Sequence, residues 1–232
     1  MTITDTDTTL TTATITAAPI GLAVFDMDGT LLPGTTACQQ IARAAGDPEL
    51  VDRLERDYRA GLIDSTRFAE LALEGWARAG TDLYRRAFDA CPKIGGLAET
   101  LAALRARSVT TCLITMAPRE FAECFTGFDH VFASTYPTDI LDPEDKPVVV
   151  RELQQRLGLE AARTIAFGDS DSDVPLFETL TRTVAVNATP NLVSLAAHRY
   201  DGDDLRVALG LVDGTAHGAV DGTAHRTAEP QP

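Results

Sequence analysis

Ile20-Gly21-Leu22-Ala23-Val24-Phe25-Asp26-Met27-Asp28-Gly29-Thr30-Leu31 joins a short apolar run to two aspartates and a glycine. The run is too short for a helix and is bounded by turn formers, so it reads as a strand buried on both faces of a parallel sheet. Similar runs follow at residues 111–115, 164–167 and 183–186, with a weaker one at 130–133. Helical patterns at 96–107 and 148–157 separate them. Strand and helix alternating in this way predict an α/β fold, a Rossmann-like parallel sheet with helices on both faces.

One stretch breaks the alternation. Residues 35–90 contain no strand-like run, only helical patterns near 35–45, 48–60, 65–79 and 81–90. Gly46-Asp47-Pro48, Gly61 and Gly80 punctuate them, and Asp64 or Ser65 is a natural N-cap. The expectation is an all-helical cap at 35–91, inserted after the first strand of a core formed by 19–34 and 92–212. Residues 1–18 are Thr-rich, lack a basic start and an apolar run, and read as disordered rather than as a signal peptide. Residues 213–232 carry Asp-Gly-Thr-Ala-His twice, placing His217 and His225 eight positions apart, and read as a low-complexity disordered tail.

The net charge of −14 argues against backbone-driven nucleic-acid binding, which needs clustered Lys and Arg, and against an anionic membrane surface. No apolar run approaches the roughly 20 residues of a membrane helix, and a cytoplasmic location is expected. Cys38, Cys91, Cys112 and Cys124 form no C-x-x-C pair and have no histidines at zinc spacing, so they read as reduced, buried thiols.

In an open α/β sheet, ligands sit beyond the carboxyl ends of the strands. There the chain places Asp26 and Asp28 after the first strand, Thr115 after the next, and Gly168-Asp169-Ser170-Asp171-Ser172-Asp173 after a later one. Lys146 stands before the helix leading into that last strand. An Asp-Gly pair alone is a common turn, but strand ends delivering four acids, a hydroxyl and a lysine to one rim are not explained by turns. Carboxylates gathered together repel and need neutralising by protons or a cation. Oxygen ligands without sulfur or imidazole point to Mg²⁺. No G-x-G-x-x-G follows the first strand, which removes the dinucleotide-binding reading.

This order of motifs (D-x-D-G-T-L after a buried strand, an apolar strand ending in Thr, a lone Lys, then G-D-S-x-x-D) resembles the haloacid dehalogenase superfamily. The helical insertion is similar to the cap of its phosphoserine-phosphatase-like branch. The resemblance implies a Mg²⁺-dependent phosphatase acting on a small phosphorylated metabolite through an aspartyl phosphate. Asp26 would be the nucleophile, and Asp28 the acid for the leaving oxygen and then the base for water. Asp26, the carbonyl of Asp28, Asp169 and Asp173 would hold or orient the metal. Thr115 and Lys146, with backbone amides near Gly29 and Met116, would hold the phosphate.

The resemblance departs from phosphoserine phosphatases at three places. Gly29 stands where they carry Ser, Thr35 stands where they carry the Glu that reads the substrate's amino group, and Met116-Ala117-Pro118-Arg119 replaces a Gly-rich turn. The expected substrate is therefore a sugar, polyol or hydroxy-acid phosphate, with phosphoserine as the alternative. Arg56, Arg59 and Arg67 are candidates to meet an acidic substrate. A phosphomutase would use the same two aspartates, whereas a dehalogenase would lack the second acid. A non-enzymatic phosphate-binding module is opposed by every motif position being filled.

Overall fold

A computed structural model describes residues 18–213. The segments expected to be disordered, 1–18 and 213–232 with its repeated Asp-Gly-Thr-Ala-His, lie outside these residues, apart from Ala18 and Asp213. In chain order the elements are β1 (Leu22–Phe25), α1 (Ala37–Ala45), α2 (Glu49–Arg59), α3 (Ser65–Trp76), α4 (Leu83–Ala90) and α5 (Leu97–Ala106). Then come β2 (Thr110–Pro118), α6 (Arg119–Ala122), β3 (His130–Ser134), α7 (Asp145–Leu157), β4 (Thr164–Gly168) and α8 (Val174–Phe177). The order closes with β5 (Thr183–Val186), α9 (Pro190–Leu195), β6 (His198–Tyr200) and α10 (Leu205–Asp213).

The six strands form one sheet in the order β3-β2-β1-β4-β5-β6, with every neighbouring pair parallel. β1 is central, and Phe25 faces Leu113 on one side and Phe167 on the other. Its residues alternate between two cores, as strand geometry requires. Ala23 and Phe25 pack in one cluster with Leu104, Leu205 and Leu209, while Leu22 and Val24 pack in the other with Val150, Leu153 and Leu192. Helices therefore cover both faces, as the unbroken apolar run predicts.

β6 escaped prediction because its three residues, His198-Arg199-Tyr200, are polar at an edge where only Tyr200 is buried. β2 runs past Thr115 to Pro118, with a register irregularity against β3 between those two residues. α7 begins at Asp145, so Lys146 lies in its first turn rather than before it. Pro147, which suggests a break, is tolerated there because the first amides of a helix have no intrahelical acceptor.

The helices between β1 and α5 are delimited by local chemistry. Thr36 caps α1 in a reciprocal box with Gln39, and Gly46 closes it at φ +93°. The Asp64 carboxylate accepts from the Arg67 amide to start α3. Trp76 of α3 is buried and stacks on Tyr136 of the loop after β3, with ring centroids 6.4 Å apart. Ser65 donates a 2.5 Å hydrogen bond to Asp142, which precedes α7. Two side-chain contacts thus tie these helices to the loops beyond the strand ends.

Candidate active site

Adjacent parallel strands in register end at the same level, which brings residues far apart in sequence to one rim. Asp26 follows β1, and its amide donates to the Phe167 carbonyl of β4 at 2.9 Å. Asp169 follows β4 directly, and Asp173 sits one turn further on, at the start of α8. Asp26, Asp169 and Asp173 each offer a carboxylate oxygen within 4.8 Å of the others. Lys146 reaches between two of them, donating to Asp26 Oδ1 at 2.8 Å and to Asp173 Oδ1 at 2.7 Å. It also lies 3.3 Å from Ser172 Oγ. Lys146 is 1% exposed, so this ammonium is a buried member of the cluster.

Two glycines make the convergence possible. Gly29 adopts φ +80°, and a Cβ there would lie 2.0 Å from Asp169 Oδ2. The serine that phosphoserine phosphatases carry at this position has no room while Asp169 is so placed. A Cβ on Gly168 would lie 2.5 Å from Asp173 Oδ2, the oxygen that accepts from the Asp169 amide at 3.0 Å. The Gly29 amide donates to the Leu32 and Thr35 carbonyls. Gly29 therefore serves the site by making space; its own N–H is not free for phosphate, contrary to the sequence-based expectation.

The charges do not balance within the cluster. Burial, reinforced by the charge of Asp173, pushes Asp26 well above the usual carboxylate range despite Lys146. Burial and then Asp173 raise Asp169 to about 7. Burial alone would depress Lys146, but Asp173 and Asp26 outweigh it and hold the ammonium above its ordinary value. Asp26 Oδ2 and Asp169 Oδ1 are buried without a hydrogen-bond partner. Unpartnered anionic oxygens beside three converging carboxylates suit a hard divalent cation such as Mg²⁺.

Asp28 is arranged differently. Its side chain is not part of the three-carboxylate group, because Oδ1 accepts from the Ala37 amide at 2.7 Å, at the N-terminus of α1. Burial raises its carboxyl to about 6, and the Ala37 amide and Lys146 only moderate that rise. One oxygen of Asp28 is thus tethered to the helical segment.

Above these residues lies a cavity of about 290 Å³. Asp26, Asp28, Thr115, Met116, Lys146, Ser170 and Ser172 line it from the strand ends. Thr36, Cys38, Glu55, Tyr58, Ser65 and Phe68 line it from α1–α3 and the cap residue of α1. The Thr115 hydroxyl accepts from the Ala117 amide at 3.1 Å, which orients it at the irregularity of β2. Asp169 and Asp173 do not line the cavity; Asp173 is joined to the lining through Lys146, and Asp169 through its amide to Asp173.

Arg56, Arg59 and Arg67 do not line the cavity. Arg59 reaches Glu55 from the solvent side at 3.3 Å, and Arg67 pairs with exposed Glu70 at 2.6 Å. Thr35 is buried beside α1, its hydroxyl accepting from Gln40 at 2.7 Å. Sequence reasoning missed Glu55, Tyr58, Phe68 and Tyr136. Glu55 four residues before Arg59 looks like an exposed helix pair, and nothing local reveals which helix face meets the sheet.

The match of residues 23–178 to the haloacid dehalogenase-like hydrolase family shows that this chain belongs to that family. The phosphoserine phosphatase of Haemophilus influenzae is 22% identical over 83% of this chain and 65% of its own length. The phosphoserine phosphatase SerB1 of Mycobacterium tuberculosis is 36% identical over 34% of this chain and 26% of its own. The chain thus spans less than two thirds of these curated relatives. A solved phosphoserine phosphatase, described as a phospho-aspartyl intermediate analogue, superposes with a TM-score of 0.70 at 20% identity. It covers 84% of this chain and all of that one. Among the described residues, no helix is long and apolar enough to cross a membrane.

Proposed function

We propose that this protein is a Mg²⁺-dependent phosphatase that hydrolyses a small-metabolite phosphate monoester through an aspartyl phosphate on Asp26. The observation that carries this reading is the convergence of Asp26, Asp169 and Asp173 within 4.8 Å of one another, bridged by buried Lys146. A solved relative described as a phospho-aspartyl analogue supports the covalent step. Residues 35–91 act as the cap over the site, and the substrate is a soluble phosphorylated metabolite met in the cytoplasm.

In the first step a carboxylate oxygen of Asp26 attacks phosphorus, and the bond from phosphorus to the substrate's ester oxygen breaks. Asp28 gives that oxygen its proton, because an alkoxide leaves badly unaided. In the second step Asp28 takes a proton from water as the water attacks phosphorus. The aspartyl–phosphate bond breaks, and inorganic phosphate and the Asp26 carboxylate are restored. A carboxyl raised to about 6 can serve in both directions near neutral pH.

Lys146 holds the Asp26 carboxylate in one rotation, which supplies the positioning such a displacement needs. With Thr115 and the backbone around Met116 it would also hold the phosphate oxygens. Asp26, Asp169 and Asp173, with the carbonyl of Asp28, would hold Mg²⁺. When bound, the ion supplies charge neutralisation between an anionic nucleophile and an anionic phosphate.

The test is release of inorganic phosphate from a panel of phosphorylated metabolites, O-phosphoserine among them. Release that needs Mg²⁺, stops with EDTA and is lost in Asp26→Asn supports the reading. An isomerised phosphate ester in place of free phosphate would instead identify a phosphomutase. No turnover and no binding of any ester by folded, Mg²⁺-supplied protein would overturn both.

A further inference from the structure

The cavity carries information about charge that the reaction itself does not use. Its floor is occupied by the groups assigned to phosphate and metal. What remains for the leaving group is the upper lining, and there every contribution is aromatic, apolar, hydroxylic or anionic. Tyr58 and Phe68 lie edge to face, with centroids 6.4 Å apart. Tyr136 forms a further aromatic wall, its ring braced by Trp76. Glu55 of α2 contributes the one carboxylate that the helices place on this lining.

Lys146 is the cavity's one basic lining residue, and Asp26 and Asp173 hold it at the floor. The hydroxyls are partly committed: Ser65 donates to Asp142, and Tyr136 lies 3.6 Å from Cys38 Sγ. A carboxylate on the leaving group would find Glu55 and Asp28 rather than an arginine, and a neutral polyol would face aromatic rings. A positive charge would be attracted both by the ring faces and by Glu55.

Resting on the phosphatase reading above, we infer that the substrate is a phosphate monoester of an amino alcohol. Its ammonium group is held between Tyr58, Phe68 and Tyr136 and balanced by Glu55, and its alcohol carries no carboxylate. Glu55 is a specificity residue that touches the leaving group; it takes no part in the bond changes. Arg59, which pairs with Glu55 from the outer surface, lies off the cavity and leaves this carboxylate accessible from within.

The experiment compares phosphocholine with 3,3-dimethylbutyl phosphate, which replaces the charged nitrogen by carbon and keeps the shape. With Mg²⁺-loaded enzyme, kcat/KM for phosphocholine is expected to exceed that of the neutral isostere about tenfold or more, and Glu55→Gln to bring the ratio towards one. The difference is expected in KM more than in kcat, with O-phosphoserine poorer than phosphoethanolamine.

Equal use of phosphocholine and the isostere, or a ratio indifferent to Glu55→Gln, would overturn the inference. Binding to Asp26→Asn, measured by calorimetry, separates this from failure of the phosphatase reading. If no monoester is hydrolysed yet phosphocholine binds more tightly than the isostere in a Glu55-dependent way, hydrolysis falls and charge selection stands. If neither discrimination nor binding is found, charge selection falls too.

Discussion

Lys146, Asp26 and Asp173 meet under the cavity almost without solvent contact, whereas Arg53 on α2 and Arg67 on α3 hold their carboxylates in water. Both regions are rich in ion pairs, but burial makes them differ in kind. An exposed pair gains little, because water already solvates both charges and ordering long side chains costs entropy. A buried ammonium between two carboxylates cannot lose a partner without leaving an uncompensated charge. Charge at the strand ends is therefore constrained by its buried partners. On the helices it mostly keeps a surface soluble, and Glu55, which turns inward, is the exception.

Replacing Lys146 should produce the largest effect. Lys146→Met leaves Asp26 and Asp173 buried without their cation, at a cost of about 3–5 kcal/mol in stability. Thermal unfolding of the metal-free protein measures the cost, and phosphate release should fall below detection. A melting temperature equal to wild type would show that the pair is solvated and the comparison wrong.

Asp28→Asn should follow, lowering kcat by about 10²–10⁴-fold for alkyl phosphates. In the first turnover, read as the burst of released alcohol, the loss should be much smaller for p-nitrophenyl phosphate, whose leaving group needs no proton. The later hydrolysis, where Asp28 is the base, should slow alike for both esters. Equal first-turnover losses for both esters would mean that Asp28 acts through structure, by its bond to the Ala37 amide, rather than as an acid.

A smaller effect is expected from pH and metal together. In the metal-free fold Asp28 is raised to about 6 and Asp169 to about 7, and Asp26 is raised too. Raised carboxyls bind protons more tightly in the folded state. Their contribution is fully present below the unfolded value of 3.8 and is lost as pH rises through 6 and 7. The melting temperature without metal should fall between pH 5 and 8, by roughly 2–4 °C per kcal/mol lost. Mg²⁺ should restore more at pH 8 than at pH 5, since ligands must be deprotonated to bind it. A Mg²⁺ gain independent of pH would indicate binding elsewhere.

The smallest effect belongs to Arg67→Ala. Its partners Glu70 and Glu74 are solvent-exposed, and both the melting temperature and kcat/KM should stay within error of wild type. A substantial loss of kcat/KM would place Arg67 at the substrate and undo the distinction between the two regions.

Much of this could be read from particular residues. The apolar run before Asp26, ending in D-x-D-G-T-L, announced both a buried strand and its chemistry, and Asp169 and Asp173 were legible from their spacing after a second such run. β6 was not, because His198-Arg199-Tyr200 is a strand only by pairing with β5. The start of α7 lies at Asp145 rather than at the 148 that periodicity gave, because Pro147 falls in a first turn, which tolerates what a helix interior does not. Gly29 was taken for a phosphate contact, and only the position of Asp169 shows that it is there to give way.

The sequence by itself determined the sheet, the helical insertion and the gathering of acids at the strand ends, because these follow from periodicity and from strand topology. Tertiary structure alone decided that Asp28 is tied to α1, that Lys146 joins Asp26 to Asp173, and that Glu55 rather than an arginine faces the cavity. Local sequence states which residues share a helix face. Which face meets the strand ends depends on packing between elements far apart in the chain, and that is settled only when the whole fold closes.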